Sequence, residues 1–166
     1  MNLTPNSHKI FNNKKIIITG HTGFKGSWLS LWLTYLGAKI IGLSINIPSS
    51  PSHIEVSDIS SHIDDRIVDV CDTKKVKEII HKVQPDFVFH LAAQALVRPS
   101  YTSPLETIST NSIGTASVLD ALRYLNKPVV AVMITSDKAY DNVEWVWGYR
   151  ESDRLGGKDP YSASKG

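Results

Sequence analysis

The segment from position 15 to position 36 constrains the fold more than any other part of this sequence. It begins with the β-branched run Lys15–Thr19, which is typical of a strand buried on both faces of a parallel sheet. Glycines follow at Gly20, Gly23 and Gly26, and nearly every residue of 27–36 is large and apolar. The order strand, glycine loop, helix favours an α/β chain over an all-helical or all-β one.

The alternation of strand and helix continues along the rest of the chain. Further apolar strand patterns lie at 39–44, 66–70, 87–91 and 129–134. Helix patterns lie between Asp72 and Pro85 and at 104–125, whereas the stretch 45–62, rich in Pro and Ser, predicts an irregular excursion. Strands that are apolar throughout indicate a doubly wound parallel sheet with helices on both faces.

Several residues mark where these helices begin and end. Gly37 suits a C-cap, and Asp72 is a good N-cap. The run Ser103-Pro104-Leu105-Glu106 combines a capping box with proline at the first helical position. Within 27–36 only Ser27, Ser30 and Thr34 interrupt the apolar residues, which predicts a helix with a thin polar stripe that is covered on more than one side.

Composition and charge narrow the possible partners and compartments. With 18 basic and 16 acidic side chains the formal net charge is +2, which excludes the strongly basic surface of a nucleic-acid-binding protein. The single cysteine, Cys71, excludes a disulfide framework and a thiolate metal cluster, and it fits a reducing compartment. No apolar run approaches the roughly 20 residues of a membrane span, and the polar segment 1–13 lacks the apolar core of a signal peptide. We therefore expect a cytoplasmic protein without metal, membrane or nucleic-acid partners.

The glycine loop also predicts a ligand. Glycines at these spacings permit a tight turn in which backbone N–H groups at a helix N-terminus approach a pyrophosphate. A turn without any ligand is the plain alternative. The position of the loop, after the first strand of an alternating chain and before a helix, favours a dinucleotide-binding domain of the Rossmann type.

The ends of the second and third strands bear on which dinucleotide binds. An acidic residue is expected at the end of the second strand to bind the adenosine ribose, but the sequence has Ser44 and Asn46 there. Either side chain can bond a 2′-hydroxyl and no arginine stands nearby to bind a 2′-phosphate, so the sequence favours NAD and leaves NADP open. Asp69 and Val70 are placed to border the adenine, although Asp69 can equally be a solvated carboxylate at a strand end.

Tyr161 and Lys165 are four residues apart and therefore share one face of a helix. A lysine ammonium beside a tyrosine hydroxyl favours the phenolate, which turns a weak acid into a usable base. The pair alone occurs often by chance, but in a chain with this glycine loop it is much more specific.

Four motifs together resemble the extended short-chain dehydrogenase/reductase family, whose members work on nucleotide sugars. They are Thr19-Gly-x-x-Gly-x-x-Gly26, His90-Leu91-Ala92-Ala93, Asn111-x-x-Gly114-Thr115 and Tyr161-x-x-x-Lys165. Within that family, segments 20–28, 135–138, 144–151 and 156–165 resemble the CDP-glucose 4,6-dehydratases. The resemblance implies an NAD-binding Rossmann domain at 14–166, truncated before the last strands and the C-terminal substrate domain of the family. For the full-length enzyme it implies a homodimer or a higher oligomer.

The resemblance assigns cofactor binding to the glycine loop, the third strand, the segment after the fourth strand and two helices. The residues are Gly20, His21, Thr22, Gly23, Phe24, Gly26, Asp69, Val70, Leu91, Ala92, Ala93, Asn111, Tyr161 and Lys165. The side chain of His21 is expected to crowd or contact the cofactor. Asn111 is expected to support the catalytic loop by hydrogen bonding.

The resemblance also implies a reaction on a nucleotide sugar. A 4,6-dehydratase converts CDP-glucose to CDP-4-keto-6-deoxyglucose: it oxidises C4 with NAD, eliminates water across C5 and C6, and returns the hydride to C6. Tyr161, assisted by Lys165, matches the base for the C4 hydroxyl, and Ser136 matches the residue that holds this hydroxyl. Lys138 and Asp137 match the C5 base and the acid at the C6 hydroxyl. A lysine acts as a base only in its neutral form, so Lys138 can instead be a cation that binds sugar or cofactor.

Two other functions stay open. A nucleotide-sugar 4-epimerase shares the fold, NAD and the Tyr–Lys pair but needs no acid–base pair for elimination, and a non-catalytic NAD-binding fragment is also possible. Because the chain stops one residue after Lys165, we expect that the helix carrying Tyr161 cannot form and that the isolated chain has little activity.

Three aromatic residues either line the sugar site or pack a loop, and two further residues are interpreted as packing. The aromatic residues are Trp145, Trp147 and Tyr149, and the packing residues are His90 and Cys71.

Overall fold

The computed structural model describes residues 7–166. Positions 1–6 of the polar segment 1–13 lie outside the described residues, and the short helix α1 (Ser7–Phe11) lies within it. The other helices are α2 (Phe24–Tyr35), α3 (His53–Val56), α4 (Thr73–Val83), α5 (Val97–Thr102), α6 (Pro104–Ile108), α7 (Gly114–Leu122) and α8 (Pro160–Lys165). Short 3₁₀ turns lie at Ile59–His62 and Asp137–Ala139, and a π-helical segment lies at Ser109–Ile113. The strands are β1 (Lys15–Thr19), β2 (Lys39–Ser44), β3 (Asp64–Ile67), β4 (Phe87–His90) and β5 (Val130–Met133).

The described strands form one parallel sheet in the order β3-β2-β1-β4-β5. This order confirms the predicted doubly wound α/β fold of the Rossmann type. The strand order reverses between β1 and β4, and sheets of this kind bind ligands beyond the carboxyl ends of the strands at such a switch point. Thr19, the last residue of β1, pairs there with Leu43 of β2 and His90 of β4.

Successive residues of β1 face opposite sides of the sheet and take part in two hydrophobic cores. On one side Ile16 and Ile18 pack with Leu33 and Leu36. On the other side Ile17 belongs to a core that includes side chains of α4 and α7. These side chains are Val76, Ile79, Ile80, Val83, Val118 and Ala121. The central strands are therefore covered on both faces, as predicted.

The third and fifth strands depart from the prediction. The third strand runs Asp64–Ile67 rather than 66–70, because its polar first residues pair with β2. Val68 and Val70 follow its end and are buried outside the ladder. β5 lies at the edge of the sheet, where Val130 and Val132 are partly exposed. In the described chain, burial on both faces is thus a property of the central strands alone.

The prediction that the helix α2 is covered on more than one side is also wrong. Its small residues Gly26, Ser27 and Ser30 are buried, whereas Trp28 is 51% and Trp32 is 49% exposed. The serine hydroxyls are satisfied within the helix, since Ser27 Oγ donates to the carbonyl of residue 24 and Ser30 Oγ to that of Gly26. Small side chains that bond to their own helix let its backbone lie close to the sheet, so the polar stripe faces inward.

Two of the predicted helix ends are confirmed and one is wrong. Gly37 has φ +83° and donates its N–H to Thr34 O, as a C-terminal glycine does. The carboxylate of Asp72 accepts the N–H of Lys75 and caps α4. Ser103 makes no capping hydrogen bond with its side chain, so the capping box is absent although proline occupies the first helical position.

The helix predicted at 104–125 is divided into α6, the π-helical segment and α7. In the middle piece the N–H of Gly114 donates to Ser109 O, five residues earlier. The stretch 45–62 is more regular than predicted, because it contains α3 and a 3₁₀ turn. The expectation that the Tyr161 helix cannot form is wrong, since Asp159 caps α8 and accepts the Ser162 N–H at 2.9 Å.

No helix within residues 7–166 is long and apolar enough to cross a membrane. In the same range, no three His, Cys, Asp or Glu side chains are grouped so that they could hold a metal ion.

Candidate functional site

The glycine loop lies at the carboxyl end of β1, at the switch point of the sheet. Gly20 has φ +72°, and a Cβ on it would lie 2.7 Å from the backbone nitrogen of Ala92. A Cβ on Gly26 would overlap the carbonyl oxygen of Gly20 and lie 2.7 Å from His21 Cα. Two of the three glycines are therefore required by close backbone contacts, whereas a Cβ on Gly23 would meet only an ordinary neighbour at 3.4 Å.

This loop ends at the N-terminus of α2, which is the part that fits a dinucleotide. The N-cap residue Gly23 has no side chain to cap the helix, and the first-turn N–H groups of an α-helix have no acceptor within the helix. The backbone folds back on itself, because the Gly23 N–H donates to Gly20 O at 3.1 Å. An uncapped helix N-terminus beside a glycine turn without side chains is suited to an anionic diphosphate.

His21 points away from this opening and into the protein. Its side chain is fully buried, and Nε2 lies 2.9 Å from Asp65 Oδ1 on β3. The imidazole occupies the space above Gly42, where an added Cβ would lie 2.5 Å from the ring. In this structure the His21 side chain joins the glycine loop to β2 and β3. Its expected contact with a cofactor stays a prediction.

Thr22 and Ser44 connect the glycine loop to the end of β2. Thr22 Oγ1 donates to Asn46 O at 2.7 Å, and the Thr22 N–H lies 3.4 Å from Ser44 Oγ. Neither Ser44 nor Asn46, the two residues expected to bind the ribose, carries a charge. Asp69 accepts the N–H of Cys71 at 2.8 Å and is exposed.

Val70 lies beneath α7 rather than at an open surface. It is 4% exposed, and a Cβ on Gly114 would lie 2.6 Å from its side chain. A glycine at this position therefore lets the helix approach the end of the third strand. The adenine contacts expected of Val70 and of the preceding residue stay predictions.

The segment that follows β4 lies against the glycine loop. The Leu91 N–H donates to Thr19 O, and the Ala92 N–H donates to Thr19 Oγ1, both at 3.1 Å. Together with the close approach of Ala92 to Gly20, these bonds confirm that two separate sequence motifs meet at one edge of the sheet.

His90 connects this edge to the interior, and its hydrogen bonds determine its tautomer. Thr115 Oγ1 donates to Asn111 O at 2.6 Å, so it accepts from His90 Nε2 at 3.0 Å. His90 Nδ1 must then accept from Thr19 Oγ1, which lies 2.7 Å away. Burial, and secondarily the charge of Lys165, lowers the pKa of His90 from 6.5 to about 4, so the ring is neutral near pH 7.

Asn111 lies in the π-helical segment and is 2% exposed. Its Oδ1 accepts the N–H of Gln94 at 2.8 Å, and its Nδ2 donates to Gln94 O at 3.1 Å and to Ser164 Oγ at 2.8 Å. The predicted supporting role of Asn111 is consistent with these bonds. Sequence reasoning missed Gln94 and Ser164, and the only available signal was their position beside the Leu91–Ala93 motif and Lys165.

The helix α8 brings Tyr161 and Lys165 to the same end of the sheet. Tyr161 is 9% exposed, and Lys165 Nζ donates to the carbonyl oxygen of Ile134, just beyond β5, at 3.2 Å. Burial lowers the pKa of the Lys165 ammonium. The Lys165 side chain is thus held at the carboxyl end of β5, and Tyr161 lies one turn earlier on the same helix.

Ser136, Asp137 and Lys138 lie between β5 and α8 in the chain, and the 3₁₀ turn Asp137–Ala139, which Ser136 caps, contacts α8. Ser136 Oγ accepts the Lys138 N–H at 3.2 Å and donates to Asp137 Oδ1 at 3.1 Å. Asp137 and Lys138 are exposed, and Lys138 Nζ lies 4.0 Å from Asp137 Oδ1. The structure therefore places this group beside the Tyr–Lys helix but does not bury it.

The aromatic residues after this turn pack mainly on one another. Tyr149 stacks on Tyr140 with ring centroids 5.2 Å apart and an interplanar angle of 9°. Its hydroxyl accepts the Val143 N–H and donates to the side chain of residue 142. Trp145 and Trp147 remain 43% and 65% exposed, so loop packing accounts for Tyr149 better than for the two tryptophans.

The strand order, the glycine loop and the Tyr–Lys helix at one edge of the sheet define a Rossmann-type domain of the extended short-chain dehydrogenase/reductase class. Within this class the chain belongs to the GDP-mannose 4,6 dehydratase family, whose family model matches residues 17–166.

Two curated relatives illustrate the likeness. The chain is 49% identical over 156 residues to a CDP-glucose 4,6-dehydratase of Salmonella typhimurium, an alignment that covers 94% of this chain and 44% of the relative. It is 28% identical over 162 residues to a GDP-mannose 4,6-dehydratase of Vibrio cholerae, covering 93% of this chain and 43% of the relative. The chain thus spans less than half the length of these relatives.

Solved structures agree with the fold. A UDP-glucose 4-epimerase of Thermotoga maritima, solved with UDP-glucose, matches with a TM-score of 0.76 and 26% identity over 91% of this chain and 47% of that one. A UDP-glucose 4-epimerase of Thermus thermophilus, solved in complex with NAD, matches with a TM-score of 0.76 and 25% identity, with the same coverage.

Proposed function

We propose that the protein containing this chain is a nucleotide-sugar 4,6-dehydratase that converts CDP-glucose to CDP-4-keto-6-deoxyglucose with NAD. One observation carries the proposal: α8 is docked on the end of β5 through Lys165, at the same edge of the sheet as the uncapped glycine loop. The likeness to the Salmonella typhimurium CDP-glucose 4,6-dehydratase supports the choice of reaction and of sugar nucleotide.

The residues present fit a dinucleotide. The N-terminus of α2 and the glycine loop would hold the diphosphate, and Leu91–Ala93 with Lys165 would hold the nicotinamide end. When bound, NAD supplies an acceptor for the hydride of the sugar C4 and later a donor for C6. The proposal names NAD because the end of β2 offers the small polar residues Ser44 and Asn46, and because the guanidinium of Arg66, which lies opposite Leu43 on β3, is bound to Asp64.

The first chemical step is the oxidation of the sugar at C4. Tyr161 takes the proton of the C4 hydroxyl, and Ser136 holds the oxygen as the carbonyl forms. Lys165 stabilises the negative charge of the phenolate. Burial of Lys165 lowers its pKa, and a partly desolvated ammonium interacts more strongly with such a charge than a solvated one.

The second step is the elimination of water across C5 and C6. Lys138 removes the C5 proton, the C5–C6 double bond forms, and the C6 hydroxyl leaves with a proton from Asp137 as water. Both groups are exposed in the described structure, so the bound sugar would have to supply the desolvation that a neutral lysine requires. The hydride and a proton then return to C6 and C5.

The test is an incubation of the full-length protein containing this chain with CDP-glucose and NAD, followed by mass spectrometry of the sugar nucleotide. We expect a product lighter by one water. A product of unchanged mass with inverted C4 would instead establish a 4-epimerase. The absence of both products, with NAD binding retained, would identify a non-catalytic cofactor-binding protein and refute the proposal.

A variant distinguishes the two proposed steps. Lys138→Met retains the groups for oxidation at C4 but lacks the C5 base. Incubated with CDP-glucose, this variant is expected to accumulate reduced nicotinamide, whereas Tyr161→Phe is expected to form none. Unaltered product formation by Lys138→Met would show that another group removes the C5 proton.

A further inference from the structure

Ser164 is a buried serine on α8 that lies one residue before Lys165. Its hydroxyl makes two hydrogen bonds to separate parts of the site. It accepts from Asn111 Nδ2 at 2.8 Å and donates to Tyr161 O, one turn earlier on the same helix, at 2.6 Å. The carbonyl oxygen of Ser164 also accepts from Ser112 Oγ at 3.2 Å.

The side-chain amide of Asn111, which donates to the Ser164 hydroxyl, is held in one orientation. Its Oδ1 accepts from an N–H group of Gln94, and its Nδ2 donates to Gln94 O and to Ser164 Oγ. Rotating the amide by half a turn would place the NH₂ group against the Gln94 N–H. The three bonds therefore define one orientation, and loss of the Ser164 hydroxyl would leave a buried N–H without an acceptor.

Gln94 links Asn111 to the segment that lies against the glycine loop. It lies two residues after Ala92, whose backbone nitrogen is the close neighbour of Gly20. Its own side chain is fixed, because Nε2 donates to Thr107 Oγ1 at 3.0 Å and to the carbonyl oxygen of residue 96 at 2.9 Å. A continuous set of hydrogen bonds thus runs from α8 through Asn111 to the segment that touches the glycine loop.

We propose that Ser164 is a positioning residue whose hydroxyl fixes α8 relative to segment 91–94, and so sets Tyr161 and Lys165 against the bound cofactor. This inference rests on the proposed function for the identity of the cofactor. The proposal depends on the two hydrogen bonds of the Ser164 hydroxyl, one accepted from Asn111 and one donated to Tyr161 O. Alanine fills nearly the same volume as serine, so the proposed effect depends on the hydroxyl and not on packing.

Ser162 offers a matched control two residues earlier on α8. It is also a buried serine, 5% exposed, but its hydroxyl donates only to Asp159 Oδ2, within the N-cap of the same helix. Replacing either serine by alanine therefore removes a buried hydroxyl from the same helix. Only Ser164→Ala is expected to disturb segment 91–94.

The first measurement is hydrogen exchange, which requires neither cofactor nor turnover. In Ser164→Ala the Gln94 amide is expected to exchange about tenfold faster than in wild type, because its acceptor on Asn111 is no longer held. The Leu91 amide, which donates to the backbone of β1, is expected to keep its rate and report on global stability. Ser162→Ala is expected to leave the Gln94 amide unchanged.

The second measurement is the affinity for NAD, determined by calorimetry on the same proteins. Ser164→Ala is expected to weaken binding about tenfold, whereas Ser162→Ala binds like wild type and Ser164→Thr, which keeps a hydroxyl, recovers most of the loss. Unchanged exchange at Gln94, or faster exchange with unchanged NAD affinity, would overturn the proposal. Absence of NAD binding by wild type would overturn both this inference and the proposed function. Wild type that binds NAD without dehydrating CDP-glucose would refute the dehydratase alone and leave Ser164 to be decided by these two measurements.

Discussion

The buried histidine at position 90 makes the stability of this chain depend on pH in a way that can be calculated. Its folded-state pKa is lowered from 6.5 to about 4, because burial and then the Lys165 charge oppose the imidazolium. Both of its nitrogens are engaged, Nδ1 as acceptor from Thr19 and Nε2 as donor to Thr115. Protonation of Nδ1 would abolish the hydrogen bond that Thr19 Oγ1 donates to it, so the fold favours the neutral ring.

The direction of the effect follows from proton linkage. Above pH 6.5 the ring is neutral in both the folded and the unfolded chain, and the contribution of His90 to stability is fully present. As the pH falls from 6.5 towards 4, the unfolded chain binds a proton that the folded chain does not, and stability is lost. The gap between 6.5 and about 4 corresponds to about 3 kcal/mol, and below pH 4 the loss reaches its limit.

The assay is urea denaturation of wild type, His90→Gln and His90→Asn at several pH values between 7.5 and 4.5. Glutamine keeps a donor in place of Nε2 and asparagine keeps an acceptor in place of Nδ1, and neither side chain titrates. Both variants are expected to be less stable than wild type at pH 7.5, and this difference is expected to shrink by about 2–3 kcal/mol by pH 4.5. Contributions from parts of the chain that the substitutions leave unchanged are common to all three proteins and cancel. A difference that stays constant with pH would refute the reasoning.

Three further substitutions test other parts of the structure. Gly26→Ala places a Cβ against the glycine loop and is expected to weaken NAD binding at least tenfold in calorimetry. Gly157→Ala places a Cβ against the backbone of α8 and is expected to cost about 1–3 kcal/mol in urea, whereas Gly148→Ala, in open space, stays within about 0.5 kcal/mol. The pKa of Asp86 is lowered, chiefly by the hydrogen bond that its carboxylate accepts from the Lys15 N–H. Asp86→Asn is therefore expected to lower the free energy of unfolding by about 1 kcal/mol at pH 7, and by nothing measurable once acid has protonated the wild-type carboxyl.

The sequence predicts best those features that depend on neighbours along the chain. β1, β2 and β4 were expected within one residue of their observed ends, because central strands of a parallel sheet are apolar on both faces. β3 was misplaced, because its first two residues are acidic and its position is set by pairing with β2. The Asp72 N-cap and the Gly37 turn were predictable because both are local.

The features that sequence reasoning missed depend on residues far apart in the chain. The imidazole of His21 is buried against Gly42, 21 positions later, which leaves space for it because it has no side chain. Ser164 and Asn111 are separated by 53 positions, and nothing in either local pattern indicates that they touch. In such cases the residue type shows only that a partner is needed, and the partner follows from the topology.

The two halves of the proposed reaction are built differently in this chain. Tyr161 is buried, and Lys165 is anchored to the end of β5. Such fixed positions suit the oxidation step, because a proton and a hydride can leave C4 together only if base and cofactor are held in place. Asp137 and Lys138 lie on a turn that is exposed to solvent. Desolvation by a bound sugar would favour the neutral form of each. In this view the elimination is switched on by substrate binding, whereas Tyr161 and Lys165 are held on a folded helix before substrate binds.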